Sequence, residues 1–281
     1  MQTQVQAPVV AYAPITAEGV TAAITHAVKS DTKPYMHTSA FTGGAPQYFG
    51  EQIASTVVIA NARPFAGALS LDHEGVAFRN NVSAVRDFHD DAEVERVYYP
   101  EIVAFLKAET GAREVLIFDH TRRTDTAGKS GFRGPANRAH NDYTHKSGLE
   151  RIRTLLGEDA VARLDERPVA QVNVWRPISE PVLRSPLALL DATSVEPGDL
   201  IATDHVYADR IGEIYHLAHN PNHRWLYFPK MRRDEIILIK GYDSREDGRA
   251  RFTPHSAFED PATPARAPAR ESIEIRTLLT F

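Results

Sequence analysis

Residues 169–239 decide the fold of this chain, because six short runs with strand character follow one another there. The runs are VAQVNVW (169–175), LALL (187–190), LIAT (200–203), EIYHL (213–217), WLYF (225–228) and EIILI (235–239). They are rich in β-branched, leucine and aromatic residues, and turn-forming residues separate them. A series of short strands at this spacing predicts an antiparallel sandwich or barrel, and a double-stranded jelly roll fits it.

The residues on either side of this series predict a mainly β fold with flanking helices. STVVIA (55–60), EVLIF (114–118) and residues 273–281 are further strand candidates. The stretches 92–109 and 145–156 have apolar residues at helical spacing and predict helices. We therefore expect a double-stranded β-helix, or jelly-roll, core with helices packed beside it.

The chain is expected to form a single domain over residues 1–281. Residues 1–54 are rich in small and turn-forming residues and predict an irregular N-terminal extension, whereas the jelly-roll core spans about residues 115–281. Two long loops interrupt that core, one rich in Gly, Arg and Thr at 121–137 and one rich in Pro, Ala and Arg at 244–269. Long loops inside a compact domain are often lids or binding loops.

Composition excludes several classes of protein. A net charge of -5 and a pI near 6.2 do not favour binding to phosphate backbones, so we expect no nucleic-acid partner. No apolar run is long enough to span a membrane, and the N-terminus lacks the pattern of a secretory signal. The absence of cysteine excludes disulfides, thiolate metal ligands and cysteine nucleophiles. We expect a cytoplasmic protein with a small-molecule substrate, and we leave the oligomeric state open, with a homodimer as one option.

Histidine offers the most informative chemistry, because no phosphate-loop, GxGxxG, GxSxG or HExxH motif occurs. A mononuclear iron oxygenase holds its metal with two His and one carboxylate. In a strand, residues i and i+2 point to the same side, so a His-x-Asp pair supplies two ligands. His89-x-Asp91 precedes a helix, where its acids are better explained as cap and first-turn residues. His140-x-Asp142, beside the Gly-rich loop, is the stronger candidate.

Five later histidines could supply the third ligand. His216 alternates with apolar residues in a strand, and His219 and His223 flank a turn, so each has a structural explanation. His205 lies in the same region, and His255 lies in the Pro-rich segment. The residues alone leave these alternatives open.

An Arg-x-Ser pair opens the last strand. Arg270 and Ser272 share one face of that strand, where the guanidinium and the hydroxyl could hold the far carboxylate of a 2-oxo acid such as 2-oxoglutarate. A surface ion pair between Arg270 and Glu271 or Glu274 is an equally good explanation of the residues alone.

Several blocks of sequence resemble a known family. HNDYT, VNVWRPI, PLALLDATSV, HLAHNPNHRWLYFPKMRRDEIILIKGYDS, TPHSAFEDP and ARESIEIR occur in this order. They are similar to the AsaB/CmcJ-like hydroxylases and desaturases, over roughly residues 55–281. The blocks from Trp175 to Ile275 are the most specific.

The resemblance implies a non-haem iron(II), 2-oxoglutarate-dependent dioxygenase on a jelly-roll core. Its cofactors would be Fe(II), 2-oxoglutarate and dioxygen. The enzyme would abstract hydrogen from a small natural-product or amino-acid-derived substrate and hydroxylate, desaturate or cyclise it. The family pattern places the iron ligands and catalytic residues on His140, Asp142 and His255, and the 2-oxoglutarate clamp on Arg270 and Ser272. It also implies that residues 244–269 are an ordered connection rather than a linker.

Alternatives remain for the clamp and for the function. Arg276 lies on the same face as Arg270 and could bind 2-oxoglutarate instead, and Arg266 is a third option. A cupin-like metal dioxygenase that does not use 2-oxoglutarate would keep the iron ligands without needing the clamp. A non-catalytic jelly-roll binding protein would keep only the scaffold.

Candidate substrate contacts are Tyr143, Arg122 with its neighbour Arg123, and Trp175. Tyr143 follows the ligand Asp directly, and the two arginines lie beside the Gly-rich loop. Trp175 lies on a core strand, where an aromatic residue is more often part of the core. Asn141 departs from the family pattern, which often has a small apolar residue, but it points away from the ligands and is not expected to affect iron binding.

Overall fold

The computed structural model describes residues 18–179 and 181–281. Its strands are β1 (Gly19–Ala27), β2 (Tyr35–His37), β3 (Gln47–Phe49), β4 (Gln52–Asn61), β5 (Val76–Asn80), β6 (Glu114–Thr124), β7 (His140–Asn141), β8 (Val169–Pro177), β9 (Leu187–Leu190), β10 (Leu200–Val206), β11 (Ile211–Leu217), β12 (Trp225–Tyr227), β13 (Glu235–Asp243), β14 (His255–Ala257) and β15 (Glu271–Thr280). Its helices are α1 (Ser39–Thr42), α2 (Asp91–Glu93), which continues as a π-turn over Val94–Tyr98, α3 (Tyr99–Thr110), α4 (His145–Leu156) and α5 (Glu158–Ala162). Short 3₁₀ turns cover Arg63–Ala68, Ala192–Ser194 and Pro197–Asp199.

Two curled sheets form the expected jelly roll. The large sheet has the order β1-β4-β12-β9-β14-β7-β11-β10-β2-β3, and the small sheet has the order β5-β13-β8-β15-β6. Most neighbours are antiparallel, while β12 with β4 and β10 with β2 are parallel. The core strands that the sequence predicts are all present, and most extend two or more residues beyond the predicted runs.

Two apolar layers hold the sheets in place. On the outer face of the small sheet, Ile102 and Leu106 of α3 pack against Ile273 and Ile275 of β15. Between the sheets, a second cluster that includes Leu189 of β9 is fully buried. Each such aliphatic side chain contributes about 1.5–3 kcal/mol by leaving water. The sheets are therefore rigid supports for side chains that point between them.

The predicted irregular extension over residues 1–54 is wrong for residues 19–54. β1 pairs with β4 along its whole length, and the β2–β3 pair extends the large sheet beyond β10. These strands are short or rich in alanine, which weakens their sequence signal. The jelly-roll sheets thus include strands that precede residue 115, and residues 1–17 lie outside the described part of the chain.

Both predicted loops contain residues that belong to strands of the sheets. Residues 121–124 belong to β6, and Arg133 forms a bridge with Arg123 that folds the remainder back along this strand. The segment 244–269 contains β14, a strand of the large sheet. In the described part of the chain, no helix is long and apolar enough to cross a membrane.

Candidate active site

The site begins at β7, a strand of two residues between β14 and β11. His140 stands directly opposite His255 on one side and opposite His216 on the other. Directly opposed residues point to the same face of a sheet, so the three imidazoles line the space between the sheets. The ring centroids of His140 and His255 are 4.6 Å apart.

Asp142 completes a three-residue group at the end of β7. Its Oδ1 lies 3.6 Å from Nε2 of His140, and one ligand atom from each of His140, Asp142 and His255 lies within 4.8 Å of the others. Within residues 18–179 and 181–281, this is the one group of three metal-binding side chains at such distances. Two imidazole nitrogens and one carboxylate oxygen form the donor set of non-haem iron(II), so these residues fit that metal.

Backbone carbonyls orient both imidazoles. Nδ1 of His140 donates to the carbonyl of Arg138 at 2.8 Å, and Nδ1 of His255 donates to that of Thr253 at 3.0 Å. A carbonyl can only accept, so Nδ1 carries the hydrogen in each ring and Nε2 keeps its lone pair. Burial, with the charge of His140, lowers the pKa of His255. Both effects favour the neutral imidazole that a metal requires.

Asp142 is held in its ionised form. Burial alone would raise the pKa of Asp142, but the neighbouring His140 ring and the charge of Arg276 outweigh it and hold that pKa well below its usual range. Nδ2 of Asn173 donates to Oδ2 of Asp142 at 2.7 Å, and Nε2 of Gln171 donates to Oδ1 of Asn173 at 2.5 Å. The second carboxylate oxygen is thus fixed by β8, while Oδ1 faces the histidines.

Asn141 ties both ligand-bearing segments together. Its Nδ2 donates to the carbonyls of Tyr143 at 2.6 Å and Gly241 at 2.8 Å, and its Oδ1 accepts from the amide of Thr253 at 2.9 Å. None of these bonds joins Asn141 to the side chain of His140, Asp142 or His255. Asn141 nevertheless links the strand of His140 to Thr253, whose carbonyl orients His255.

A cavity lies beside the three ligands, between them and the small sheet. Besides the ligands it is lined by Arg123, Ala136, Trp175, Leu187, Ala257, Arg270 and Glu274. Strand register explains this set, because Glu274 pairs with Trp175 across β15 and β8 and so shares its inward face. The apolar members would exclude water from the space next to a metal.

Arg270 presents an unpaired edge to this cavity. It is 2% exposed, and its Nη1 donates to the carbonyl of Ser185 at 2.6 Å. Its Nε and Nη2 are buried and have no hydrogen-bond partner among the described residues. Burial, with the charge of Arg123, lowers the pKa of Arg270 to about 10. Nε and Nη2 form one side of the guanidinium fork, the side that receives a carboxylate in a bidentate pair.

The two alternative arginines are placed differently. Arg276 lies 2.7 Å from Asp119, 2.8 Å from Glu274 and 3.6 Å from Asp142. Burial opposes its charge, but these carboxylates together raise the pKa of Arg276. Arg266 is exposed to solvent. Among the three, the open donor edge belongs to Arg270.

The other predicted site residues divide between the cavity and its surroundings. Ser272 is buried and lies opposite Arg123, on the face that carries Arg270. Trp175 lines the cavity, with the guanidinium carbon of Arg270 6.0 Å from its ring. Tyr143 is not brought to the cavity lining and packs instead in an apolar cluster beside α4.

Arg122 and Arg123 point to opposite faces of β6. Arg122 donates to the carbonyl of Phe88 at 2.5 Å and to Asp91 at 2.6 Å on the outer face, so it is not brought to the ligands. Arg123 lines the cavity and donates to the carbonyl of Gly134 at 3.0 Å.

Three positions that reasoning from the sequence did not assign to the site are Gln171, Asn173 and Glu274. Gln171 and Asn173 are polar residues at alternate positions of a buried strand whose other residues, apart from Arg176, are apolar. That alternation was the available signal, because a buried amide needs a hydrogen-bond partner and so indicates a polar neighbour. Glu274, at an inward position of β15, offered the same signal.

Comparisons with known proteins agree with this geometry. Residues 24–280 match the family model described as an oxidoreductase/YMDC permease-like domain. The chain is 34% identical to the Fe(II)/2-oxoglutarate-dependent dioxygenase nvfI of Aspergillus novofumigatus, over 78% of this chain and 81% of that protein. It is also 34% identical to the hydroxylase/desaturase efuI of Hormonema carpetanum, over 79% and 82%. The solved structure of the iron and alpha-ketoglutarate-dependent endoperoxidase NvfI superposes with a TM-score of 0.84 at 28% identity, over 93% of this chain and 97% of that one.

Proposed function

We propose that His140, Asp142 and His255 bind iron in this chain, because of the family to which it belongs. The chain belongs to this oxidoreductase family and, within it, to the iron(II)- and 2-oxoglutarate-dependent dioxygenases, which include hydroxylase/desaturase enzymes. Its cofactors are Fe(II), 2-oxoglutarate and dioxygen, and its substrate is a small molecule. The relatives support this function over the two alternatives, a cupin-like dioxygenase independent of 2-oxoglutarate and a non-catalytic binding protein.

The observation that carries the ligand assignment is the direction of the donor atoms. Both imidazoles have Nδ1 bonded to a backbone carbonyl, so both Nε2 atoms are free to bind a metal on the side where Asp142 lies. When bound, iron(II) supplies the redox chemistry that couples dioxygen and 2-oxoglutarate to hydrogen abstraction from the substrate. The protein holds the donor atoms, keeps Asp142 ionised and keeps His255 neutral.

We assign the far carboxylate of 2-oxoglutarate to Arg270. Its unpaired Nε and Nη2 can donate to both oxygens of a carboxylate, which removes the cost of two buried unsatisfied donors. Ser272 lies on the same face and adds a hydroxyl. Arg276 has a different role in this proposal, because its three carboxylates leave it to position Asp142 and Glu274. Trp175 and Leu187 shield the cosubstrate from water.

We further propose a natural-product or amino-acid-derived substrate, hydroxylated, desaturated or cyclised by hydrogen abstraction. Support comes from relatives named as hydroxylase/desaturase and from one named for aspirochlorine biosynthesis. The endoperoxidase among the solved structures adds an outcome that reasoning from the sequence did not include. A single domain over residues 1–281, a cytoplasmic location and the substrate contacts Tyr143 and Arg122 stay predictions.

An anaerobic titration tests this proposal. Purified protein mixed with Fe(II) and 2-oxoglutarate should develop the weak visible charge-transfer band of a 2-oxoglutarate chelate. His255→Ala should abolish the band, whereas Arg266→Gln, which changes an exposed arginine, should leave it unchanged. A band that survives His255→Ala at full strength would refute the ligand assignment, and no band in the wild type would refute the iron site itself.

A further inference from the structure

A second wall of the site lies on the large sheet, on the side of His140 away from His255. There His216 stands opposite His140, and His205 stands opposite Met36, which in turn stands opposite Tyr48. Strand alternation places these side chains on one face of the sheet. The ring centroids of Tyr48 and His216 are 5.3 Å apart, and those of His205 and His216 are 6.0 Å apart.

Arg138 belongs to this wall and has no counter-ion among the residues that the structure describes. Its guanidinium carbon lies 4.2 Å from the centroid of the Tyr48 ring, and its Nε donates to the amide oxygen of Gln52 at 2.7 Å. Within residues 18–179 and 181–281 no carboxylate forms an ion pair with Arg138; of the residues outside that range, 1–17 contain neither Asp nor Glu, and Glu180 is the one carboxylate. A half-buried cation without an anion is unfavourable unless a ligand supplies the anion.

Two further polar atoms beside Arg138 are open. The hydroxyl of Tyr48 and Nε2 of His205 are buried and have no hydrogen-bond partner among the described residues. His216 differs, because its Nδ1 bonds the hydroxyl of Thr203 at 3.0 Å. The wall therefore offers one cation and two unsatisfied groups that can donate a hydrogen bond, next to the proposed iron ligands.

We propose that Arg138, together with the Tyr48 hydroxyl and Nε2 of His205, binds a carboxylate of the primary substrate. The inference rests on the proposed function, since a carboxylate held here would place the rest of the molecule beside His140. This anion site is separate from the 2-oxoglutarate clamp. In the large sheet, β7 and β14 lie between the strands of the wall and β9, whose Leu187 lines the cavity together with Arg270. The substrate class is an organic acid.

The alternative role of Arg138 is structural. Its stacking on Tyr48 and its contact with Met36 could simply attach the β2–β3 pair to the strand of His140. The two roles differ in one measurable respect, because a structural arginine would not discriminate between an acid and its amide.

Isothermal titration of the anaerobic Fe(II) enzyme separates them. The enzyme is first saturated with N-oxalylglycine, an unreactive analogue that fills the 2-oxoglutarate clamp. The probes are propionate, 3-phenylpropionate and octanoate, each compared with its neutral amide. At least one acid should bind, and its amide should bind roughly tenfold or more weakly. Arg138→Gln should weaken the acid by a similar factor, and Arg138→Lys should restore part of the affinity.

Two variants control for folding. Arg210→Gln removes an exposed arginine whose guanidinium carbon also lies 4.2 Å from a tyrosine ring centroid, that of Tyr207, and it should leave acid binding unchanged. Tyr48→Phe keeps the ring under Arg138 and removes only the hydroxyl, so it should weaken acid binding without lowering the melting temperature.

Three results would overturn the inference: failure of all three acids to bind the wild type at millimolar concentration, equal binding of acids and amides, or wild-type affinity in Arg138→Gln. The visible band of the wild-type chelate reports on the iron site independently. An absent band would refute the proposed function, whereas a normal band with no acid binding would refute this inference alone.

Discussion

The two sides of the candidate iron site differ in what their side chains leave open. On the small-sheet side, inward polar side chains of β15 and β8 bond one another and Asp142, while Nε and Nη2 of Arg270 and Oε1 of Gln171 have no hydrogen-bond partner among the described residues. On the large-sheet side, the Tyr48 hydroxyl and Nε2 of His205 lack such a partner, and Arg138 forms no ion pair among the described residues. Under the two proposals above, the first side binds 2-oxoglutarate and the second binds a carboxylate of the substrate.

Removal of the carboxylate ligand should have the largest effect, because it removes the group on which both sides depend. Asp142→Ala should abolish Fe(II) binding and 2-oxoglutarate turnover, since two neutral imidazoles alone hold iron(II) weakly. Metal content after gel filtration and succinate formation measure this. Asp119→Ala, which removes an outer carboxylate near Arg276, is the matched control and should retain iron. Retention of stoichiometric iron in Asp142→Ala would contradict the assignment.

Removal of the Arg270 guanidinium should weaken 2-oxoglutarate binding on the small-sheet side while leaving Fe(II) bound. Arg270→Gln should raise the Kd for 2-oxoglutarate by about 100-fold, because two charge-assisted hydrogen bonds to a carboxylate are lost. Titration of the visible chelate band gives this Kd. If Arg266→Gln had the larger effect, the clamp would belong to that residue instead.

Substitution of Asn173, whose amide orients Asp142, should have a smaller effect on Fe(II) binding. Asn173→Leu removes the hydrogen bond to Oδ2 of Asp142 and should weaken Fe(II) binding by roughly tenfold or somewhat more. Competition with a chelator of known affinity measures the change. Asn173→Asp is a sharper comparison, because it keeps the size and adds a repelling charge, and it should bind iron more weakly than Asn173→Leu. An unchanged affinity in both variants would exclude a positioning role.

The smallest expected effect is a loss of stability at low pH, caused by the buried histidine His26 of the large sheet. Burial, with the charges of His219 and His223, lowers the pKa of His26 to about 4. The unfolded chain therefore takes up the proton more readily between about pH 6.5 and 4, and the free energy of unfolding should fall by roughly 1–2 kcal/mol as the pH is lowered through that range. Urea titrations at pH 7 and pH 5 measure the fall, and His26→Phe should reduce it. An equal fall in His26→Phe would assign the pH dependence to other groups.

The core strands and the three residues that meet at the candidate iron site could be predicted because their signals are local or carried by motifs. The run LALL at 187–190 and the helix at 145–156 match the observed elements in both bounds. His140-x-Asp142 was visible as a strand pair. β7 itself was not, because two residues have no periodicity and their strand character comes from pairing with β11 and β14.

The supporting contacts could not be predicted, because their partners are distant in sequence. Asn173 meets Asp142, and Asn141 meets Thr253, only after the two sheets have formed. The choice of Arg270 over Arg276 depends on which guanidinium already has carboxylate partners, and spacing does not encode that. The wall around Arg138 depends on strands β2 and β3, which were predicted to be irregular.

The place of the β2–β3 pair at the edge of the large sheet has a consequence for how such enzymes diversify. β3 is the last strand of its sheet and β2 hydrogen-bonds inward only to β10, so substitutions or changes of length there leave the ladder between β14 and β7 intact. Mutations that recruit a new substrate can accumulate on this edge at little cost to the catalytic machinery. A library confined to residues 35–49 is therefore a rational starting point for altering specificity by directed evolution.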